Sequence, residues 1–393
     1  MLDGKNNLKK RIIYFDNAAT SWPKPESVIH SMKDSLENLG GSPGRSGHIL
    51  SINSSRMLES VRESLGKYFK YQDTSRIIFT KNITEALNNC IFSLVKPGDH
   101  VITSSMEHNS VMRPLRYLEK RGVQLTIVKC YSDGLIDPEN ILKKIKKNTA
   151  LIAITHASNV TGRIMPAREI ADISLEKEIP IVLDCAQTAG AIEMDIDLNK
   201  YKNCIIAFTG HKNMFGPTGT GGMCIGKEIN IEPIIFGGTG SESDKDQQPK
   251  VLPDRLESGT INITGLVGLK TGIDYILEKG INNIRRHEIE LLKRFLSGLG
   301  QIKGSRIYGP ADPKKQVGLV SFNLNEISPS EVGFLLDRKY SIMCRVGLHC
   351  NPNAHKTIGT FPQGTVRFGF SYFNNIEQID LALKAIREII FDK

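Results

Sequence analysis

Two charged side chains that follow apolar runs, and one cysteine in a polar loop, could carry covalent chemistry in this chain. The stretch "IIAFTGHKNMFGP" (205 to 217) is apolar from Ile205 to Phe208, as a buried strand is, and then breaks through Thr209, Gly210 and His211 to Lys212. A lysine entering a largely buried site loses solvation, which favours its neutral amine and a Schiff base with a carbonyl compound. Taken alone, Lys212 reads as a surface lysine in a turn. Asp184 changes that weighing: "IPIVLD" is apolar up to the aspartate, and a carboxylate in such a place needs a cation or several donors. A pyridinium nitrogen would serve, and a lysine Schiff base with an aspartate on the ring nitrogen is the pyridoxal phosphate arrangement. The other reading of Asp184 is an N-cap for the segment after it.

A phosphate needs donors. Asn82-Ile83-Thr84-Glu85 opens a helix directly after a strand, so free backbone N–H groups and the Thr84 hydroxyl face the sheet edge. Thr209 and His211 add a hydroxyl and an imidazole N–H. "NITE" is also a capping box of Asn82 with Glu85, and both readings can hold together. His108, in "SSMEHNS", could stack on a cofactor ring or be a hydrogen-bonded loop residue.

Cys350 lies in "CRVGLHCNPNAHKTIG", a loop of Gly, Asn, Pro and His rather than core sequence. With Arg345 before it and His349 beside it, the setting suits a thiolate. It reads as an incidental thiol, as a metal ligand with His349 and His355, or as a nucleophile. No carboxylate or second thiol nearby completes a metal set, so the metal reading ranks lowest.

The elements that must position these residues alternate. From about 75 to 225, "RIIFT", "HVITS", "VQLTIV", "ALIAIT" and "IPIVLD" read as strands. Helical patterns separate them, two with an early proline (Pro138, Pro166). This is βαβ alternation and predicts a mostly parallel sheet with helices on both faces. The ligand of such a sheet sits at the carboxyl ends of its strands, where the residues above fall. After about 262 the texture becomes α+β, with long helices at 263 to 279 and 281 to 299 and strands in "VGLVSFNL" and "GTVRFGF". The expected domains are 15 to 262, and 263 to 393 together with 1 to 14. The segments 237 to 254 and 345 to 364 read as functional loops.

Bulk properties exclude several classes. The 393 residues are long enough for two cores and carry a net charge of +9. The basic runs "KNNLKKR" and "KKIKK" lack interleaved aromatics and read as solvated faces rather than a nucleic-acid surface. No apolar run is long enough to span a bilayer. "MLDGKNNLKKR" has no apolar core after it and is not a secretory signal, so the expected address is cytoplasmic. The seven cysteines (Cys90, Cys130, Cys185, Cys204, Cys224, Cys344 and Cys350) are scattered and never C-x-x-C, against a disulfide scaffold or a tetrathiolate zinc site.

Taken in order, "YFDNAAT" (14 to 20), "GRSGH" (44 to 48), "MEHNS", "HASNVTG" (156 to 162), "VLDCAQ" (182 to 187), "TGHK" (209 to 212), "ESGT" (257 to 260) and "RVGLHC" (345 to 350) resemble the cysteine desulfurases, the class V aminotransferase-fold group that includes selenocysteine lyases. The resemblance spans about 12 to 390. It implies fold type I of the pyridoxal 5'-phosphate enzymes, an α/β large domain with a smaller α+β domain. Lys212 would carry the cofactor, Asp184 hold the pyridinium N–H, Gln187 hold the ring hydroxyl, and His108 stack on the ring. Thr84, Thr209 and His211 would bind phosphate, with Thr260 supplied across a homodimer interface. Asn159 and Arg367 would clamp the substrate carboxylate, a role suited to arginine's planar fork; without the resemblance Arg367 reads equally as a strand-edge surface residue. Cys350 would take the sulfur of L-cysteine as a persulfide, leaving L-alanine, and hand it to a sulfur acceptor. L-Selenocysteine is the alternative substrate, and a plain class V transaminase or lyase the alternative activity. Two motifs depart from the family pattern: "NIT" stands in place of Gly-Thr-Thr, and Leu348 stands where related enzymes often carry a second histidine.

Overall fold

The computed structural model describes residues 12–44, 47–242 and 244–392. The N-terminal basic run, and Arg45 and Ser46 of "GRSGH", lie outside the described residues.

Among the described residues the first elements are β1 (Ile13–Tyr14), α1 (Glu26–Asn38) and α2 (Ile49–Phe69). The alternating region follows: β2 (Ile77–Thr80), α3 (Ile83–Leu94), β3 (His100–Ser104), α4 (Asn109–Glu119), β4 (Gln124–Val128), α5 (Pro138–Leu142), β5 (Thr149–Thr155), α6 (Ala167–Glu176), β6 (Ile181–Asp184), β7 (Cys204–Thr209) and β8 (Gly221–Ile225). Its strands form one seven-stranded sheet in the order β2-β8-β7-β6-β5-β3-β4. Every neighbouring pair is parallel except those of β8, which is antiparallel to both β7 and β2. The expected mixed, mainly parallel α/β sheet is what forms.

Both faces of this sheet are apolar, and alternation sorts the side chains. Along β7, Ile206 and Phe208 enter the core under α2 and α6, while Ile205 and Ala207 enter the core with α3 and α4. The centre of the sheet is therefore dry, and polar groups collect at the strand ends. Because β4 lies outside β3 and β5 returns on its inner side, the β3/β5 crevice is a topological switch point.

The remaining elements are α7 (Ile263–Lys279), α8 (Ile281–Gly300), β9 (Ser305–Tyr308), β10 (Leu319–Leu324), α9 (Pro329–Tyr340), β11 (Ile342–Met343), β12 (Arg345–Gly347), α10 (Pro352–Ile358), β13 (Thr365–Gly369) and α11 (Ile376–Phe391). A four-stranded antiparallel sheet, β12-β13-β10-β9, packs on α8 and α11 around Phe295, Phe322, Phe368 and Phe370. β1 pairs with β11, so the N-terminal arm is anchored in this layer. Helix α7, expected with the small domain, lends Leu266, Leu269, Ile273 and Ile276 to the core of the large sheet. On that packing we propose a domain boundary near Gly280. The segment 345 to 364 is not the open loop its composition suggested: it holds β12 and α10, whose N-cap is Asn351.

Candidate active site

A cavity of ≈ 300 Å³ opens at the carboxyl ends of β2, β3, β5, β6 and β7, and β12 and β13 close it from the small-domain side. Thr84, His108, Asn159, Asp184, Gln187, Thr209, His211, Lys212 and Arg367 all line it. Of the residues singled out from the sequence for a site role, Cys350, His355 and Thr260 do not line it.

Lys212 is half-buried one short turn beyond β7. Desolvation lowers its amine from 10.5 to about 8, with Asp184 opposing the shift and Arg367 and Arg345 adding to it. Asp184 ends β6, level with Thr155 on β5 and Ala207 on β7, and is buried. Burial raises its carboxyl pKa, while the Ala186 amide, 3.0 Å from Oδ1, and the charge of Lys212 pull it down. No ion pair holds it among the described residues.

The β2–α3 turn folds as a helix start, with the Asn82 side chain accepting from the Glu85 amide at 3.1 Å. Glu85 closes back onto the Lys81 amide (2.7 Å), one residue earlier than a capping box would place it. Thr84 Oγ1 lies 2.8 Å from Ser110 Oγ, which in turn lies 2.9 Å from His108 Nδ1. His108 is the N-cap of α4: its Nδ1 accepts from the Ser110 amide at 3.1 Å. That bond fixes the tautomer with hydrogen on Nε2. Burial first, and then the charges of Lys212, Arg345, Arg367 and Arg113, lower His108 to about 4, so the ring is neutral. His211 is likewise lowered to about 4, by burial, Lys212 and Lys24, and its buried Nδ1 has no partner among the described residues. Thr209 is buried, with its hydroxyl 3.4 Å from the Thr220 carbonyl. Gln187 donates from Nε2 to the Ala18 carbonyl at 3.0 Å.

Arg367, on β13 directly across from Arg345 on β12, is buried. Nη1 donates to the Asn159 carbonyl (2.9 Å) and Nη2 to Asp16 Oδ1 (3.1 Å), while Nε has no partner among the described residues. Burial lowers its guanidinium to about 10, so it stays charged at neutral pH. The Asn159 side chain donates to the His349 carbonyl (2.8 Å) and accepts from Asn351 (3.0 Å), leaving one amide hydrogen for the cavity.

Cys350 is exposed, and Arg345, which lines the cavity, donates from Nη2 toward its Sγ at 3.5 Å. His349 and Cys350 both take left-handed backbone conformations, at φ 49 and 58, a strain of about 1–3 kcal/mol each. Tertiary hydrogen bonds hold them there. The Asn109 amide donates to the Cys350 carbonyl (3.0 Å), His349 Nε2 pairs with Thr365 Oγ1 (2.9 Å), and Asn351 reaches the Met106 carbonyl (2.8 Å). Thr260 is exposed in a separate cleft with Ser42, Gly44, Arg62 and Glu257.

Sequence reasoning did not pick out Asp16, Ser110 or Asn351 as site residues, and it set Arg345 beside Cys350 without placing it in the cavity. Two carried a legible signal: Ser110 falls two residues after a capping histidine, and Asn351 precedes Pro352 as an N-cap precedes a first-turn proline.

Residues 13–382 match the model of the aminotransferase class-V family. The chain is similar to a probable cysteine desulfurase of Pyrococcus abyssi, 35% identical over 98% of this chain and 95% of the relative. It is 32% identical to a probable cysteine desulfurase of Methanothermobacter thermautotrophicus, over 96% and 94% of the two chains. Among solved structures, the apo cysteine desulfurase of Thermococcus onnurineus NA1 superposes with a TM-score of 0.91 at 34% identity, covering 98% of this chain and 96% of that one.

Proposed function

The chain belongs to the aminotransferase class-V family, and from that premise we propose that it is a cysteine desulfurase, releasing L-alanine from L-cysteine and taking the sulfur on Cys350. One observation carries this reading. A lysine with a lowered pKa, a buried carboxylate without an ion pair among the described residues and an arginine fork converge on one cavity, and Arg345 joins that cavity to an exposed cysteine.

The residues present fit pyridoxal 5'-phosphate. Asp184 is a buried carboxylate in want of a cation, as a pyridinium N–H would be. The start of α3, the Thr84 and Ser110 hydroxyls and the neutral His211 ring form a donor set for its phosphate. His108 offers a ring face, and Gln187 has a second amide hydrogen for the ring hydroxyl. When bound, the cofactor would supply an aldehyde for the substrate's amino group and a ring that draws electron density from its Cα.

The chain's own residues do the rest. Arg367 receives the substrate carboxylate, held in orientation by Asp16 and the Asn159 carbonyl. Lys212, neutral above about pH 8, takes the Cα proton. The Cys350 thiolate, facing Arg345, attacks the substrate sulfur. An S–S bond forms as the C–S bond breaks, and the electron pair left on carbon is protonated to complete the methyl group of alanine. The persulfide then passes to a thiol acceptor. Thr260, exposed and away from the cavity of its own chain, would serve the phosphate of a second copy in a homodimer.

The test incubates the loaded protein with L-cysteine and measures alanine and sulfide for the wild type, Lys212→Ala and Cys350→Ala. Both products from the wild type and neither from the variants is the expected result. Undiminished release from Cys350→Ala would sink the persulfide role.

A further inference from the structure

The carbonyl oxygen of His211, immediately before Lys212, is gripped from one short segment. Thr20 Oγ1 (3.0 Å), the Ser21 amide (3.0 Å) and Lys24 Nζ (2.9 Å) all donate to it. Ser21 Oγ has one hydrogen, which goes to the Lys212 carbonyl at 2.7 Å rather than to the His211 carbonyl at 3.3 Å. The same Ser21 Oγ accepts from Lys24 Nζ at 2.7 Å. Lys24 is half-buried, and its hydrogen bonds among the described residues go only to Ser21 and His211. Desolvation alone lowers its amine, to about 8, with no acidic group opposing the shift. A solvent-seeking cation with no ion-pair partner among the described residues puts its hydrogen bonds on the His211 carbonyl and on the Ser21 hydroxyl that holds the Lys212 carbonyl, and charge-assisted bonds of this kind are the stronger ones.

The geometry has a direct mechanical meaning. The His211 carbonyl sets the peptide plane before Lys212, and the Lys212 carbonyl sets the plane after it. Two fixed planes meeting at one Cα fix φ and ψ there, and with them the direction in which the side chain leaves the backbone.

We propose that Lys24 is a positioning residue for Lys212: through the His211 carbonyl directly, and the Lys212 carbonyl by way of Ser21, it sets the line along which the Lys212 amine enters the cavity. The catalytic consequence rests on the cysteine desulfurase reading; the backbone geometry does not.

The test compares Lys24→Met, Lys24→Arg and Ser21→Ala with the wild type. In the loaded enzyme, Lys24→Met should lower kcat on L-cysteine roughly ten- to a hundredfold with little change in KM, the scale of a misplaced reacting group. The visible circular dichroism of the bound pyridoxal should change shape. Without cofactor, the amides of 211–216 should exchange hydrogen about tenfold faster than in the wild type, the scale of losing a hydrogen bond to a charged group. Lys24→Arg should recover most of each effect, and Ser21→Ala should show a smaller version of all three. Ser21→Ala decides the matter if Lys24→Met does not fold. Unchanged exchange and dichroism in Lys24→Met overturn the proposal even if turnover falls. Equal losses in Lys24→Met and Lys24→Arg, with a lower Tm and the dichroism unaltered, overturn it in favour of a purely structural lysine. If the wild type fails to desulfurate cysteine, the functional reading falls, while exchange and dichroism still decide Lys24.

Discussion

Lys212 follows a buried strand in a dry sheet, and its neighbours Asp184, Thr209 and Thr84 stand where strands end or helices begin. Cys350, on the small-domain side, sits between a three-residue strand and a seven-residue helix, in a backbone conformation that its own residue type disfavours. The first site comes from regular structure, since any chain folding this sheet brings those ends together. The second comes from individual hydrogen bonds through Asn109, Asn159, Asn351 and Thr365, each from a different part of the chain. On the proposed reading, the large sheet would supply charge and proton chemistry at its edge, and the small-domain side would supply a nucleophile whose place depends largely on polar side chains.

The largest test of this contrast separates the halves. Lys212→Ala should lower cysteine turnover by roughly 10²–10⁴-fold or more, the range for a lost proton-transfer group, and should abolish the absorbance of a covalently held pyridoxal. Cys350→Ala should keep that absorbance and lose sulfide release. Next, Arg367→Lys removes the fork while keeping the charge. KM for cysteine should rise about tenfold or more, since hydrogen bonds to charged groups contribute about 1.5–3 kcal/mol, and steady-state kinetics reads it. Third, Asn351→Ala removes the bonds to Met106, Asn159 and the Ala354 amide. Denaturant unfolding should show a loss of about 1–3 kcal/mol. Sulfide release should fall while cofactor attachment is untouched; equal damage to both would break the division drawn here.

The smallest effects are in pH. The Lys212 amine is lowered, so its neutral form prevails above about 8 rather than above 10.5. The rate at which pyridoxal phosphate attaches to the cofactor-free chain should therefore rise with pH to a plateau with a midpoint near 8, followed by absorbance. His108 and His211 have folded values of about 4 against 6.5. Their neutral forms belong to the fold, so the stability they contribute is present above pH 6.5 and is lost as pH falls toward 4. Thermal unfolding across that window should show Tm declining on the acid side.

Legibility in the sequence follows the same contrast. "IIAFT" before Lys212 and "IPIVL" before Asp184 declare buried strands, and the residues ending them are readable as site residues before any coordinates are known. Asp16 was not, because its partner Arg367 lies 351 residues away and meets it where the segment after β1 bridges to Gly369 at the end of β13. The helix within 345 to 364 was masked by Gly, Asn and Pro, which signal loops on average yet here supply the N-cap Asn351, the first-turn Pro352 and the left-handed terminator Gly359. The placement of α7 was unreadable for another reason: an apolar helical face shows that it will be buried, not which sheet will bury it.

The consecutive left-handed pair at His349 and Cys350 has an implication for reach. With the carbonyls of both residues anchored, by Asn159 and by Asn109, the sulfur has a single torsion left to turn about. With that backbone held, turning the side chain moves the sulfur along a small arc beside Arg345. On the cysteine desulfurase reading, the substrate would have to bring its sulfur to that arc, and a substrate one methylene longer than cysteine is expected to turn over more slowly, which sulfide release from the two checks.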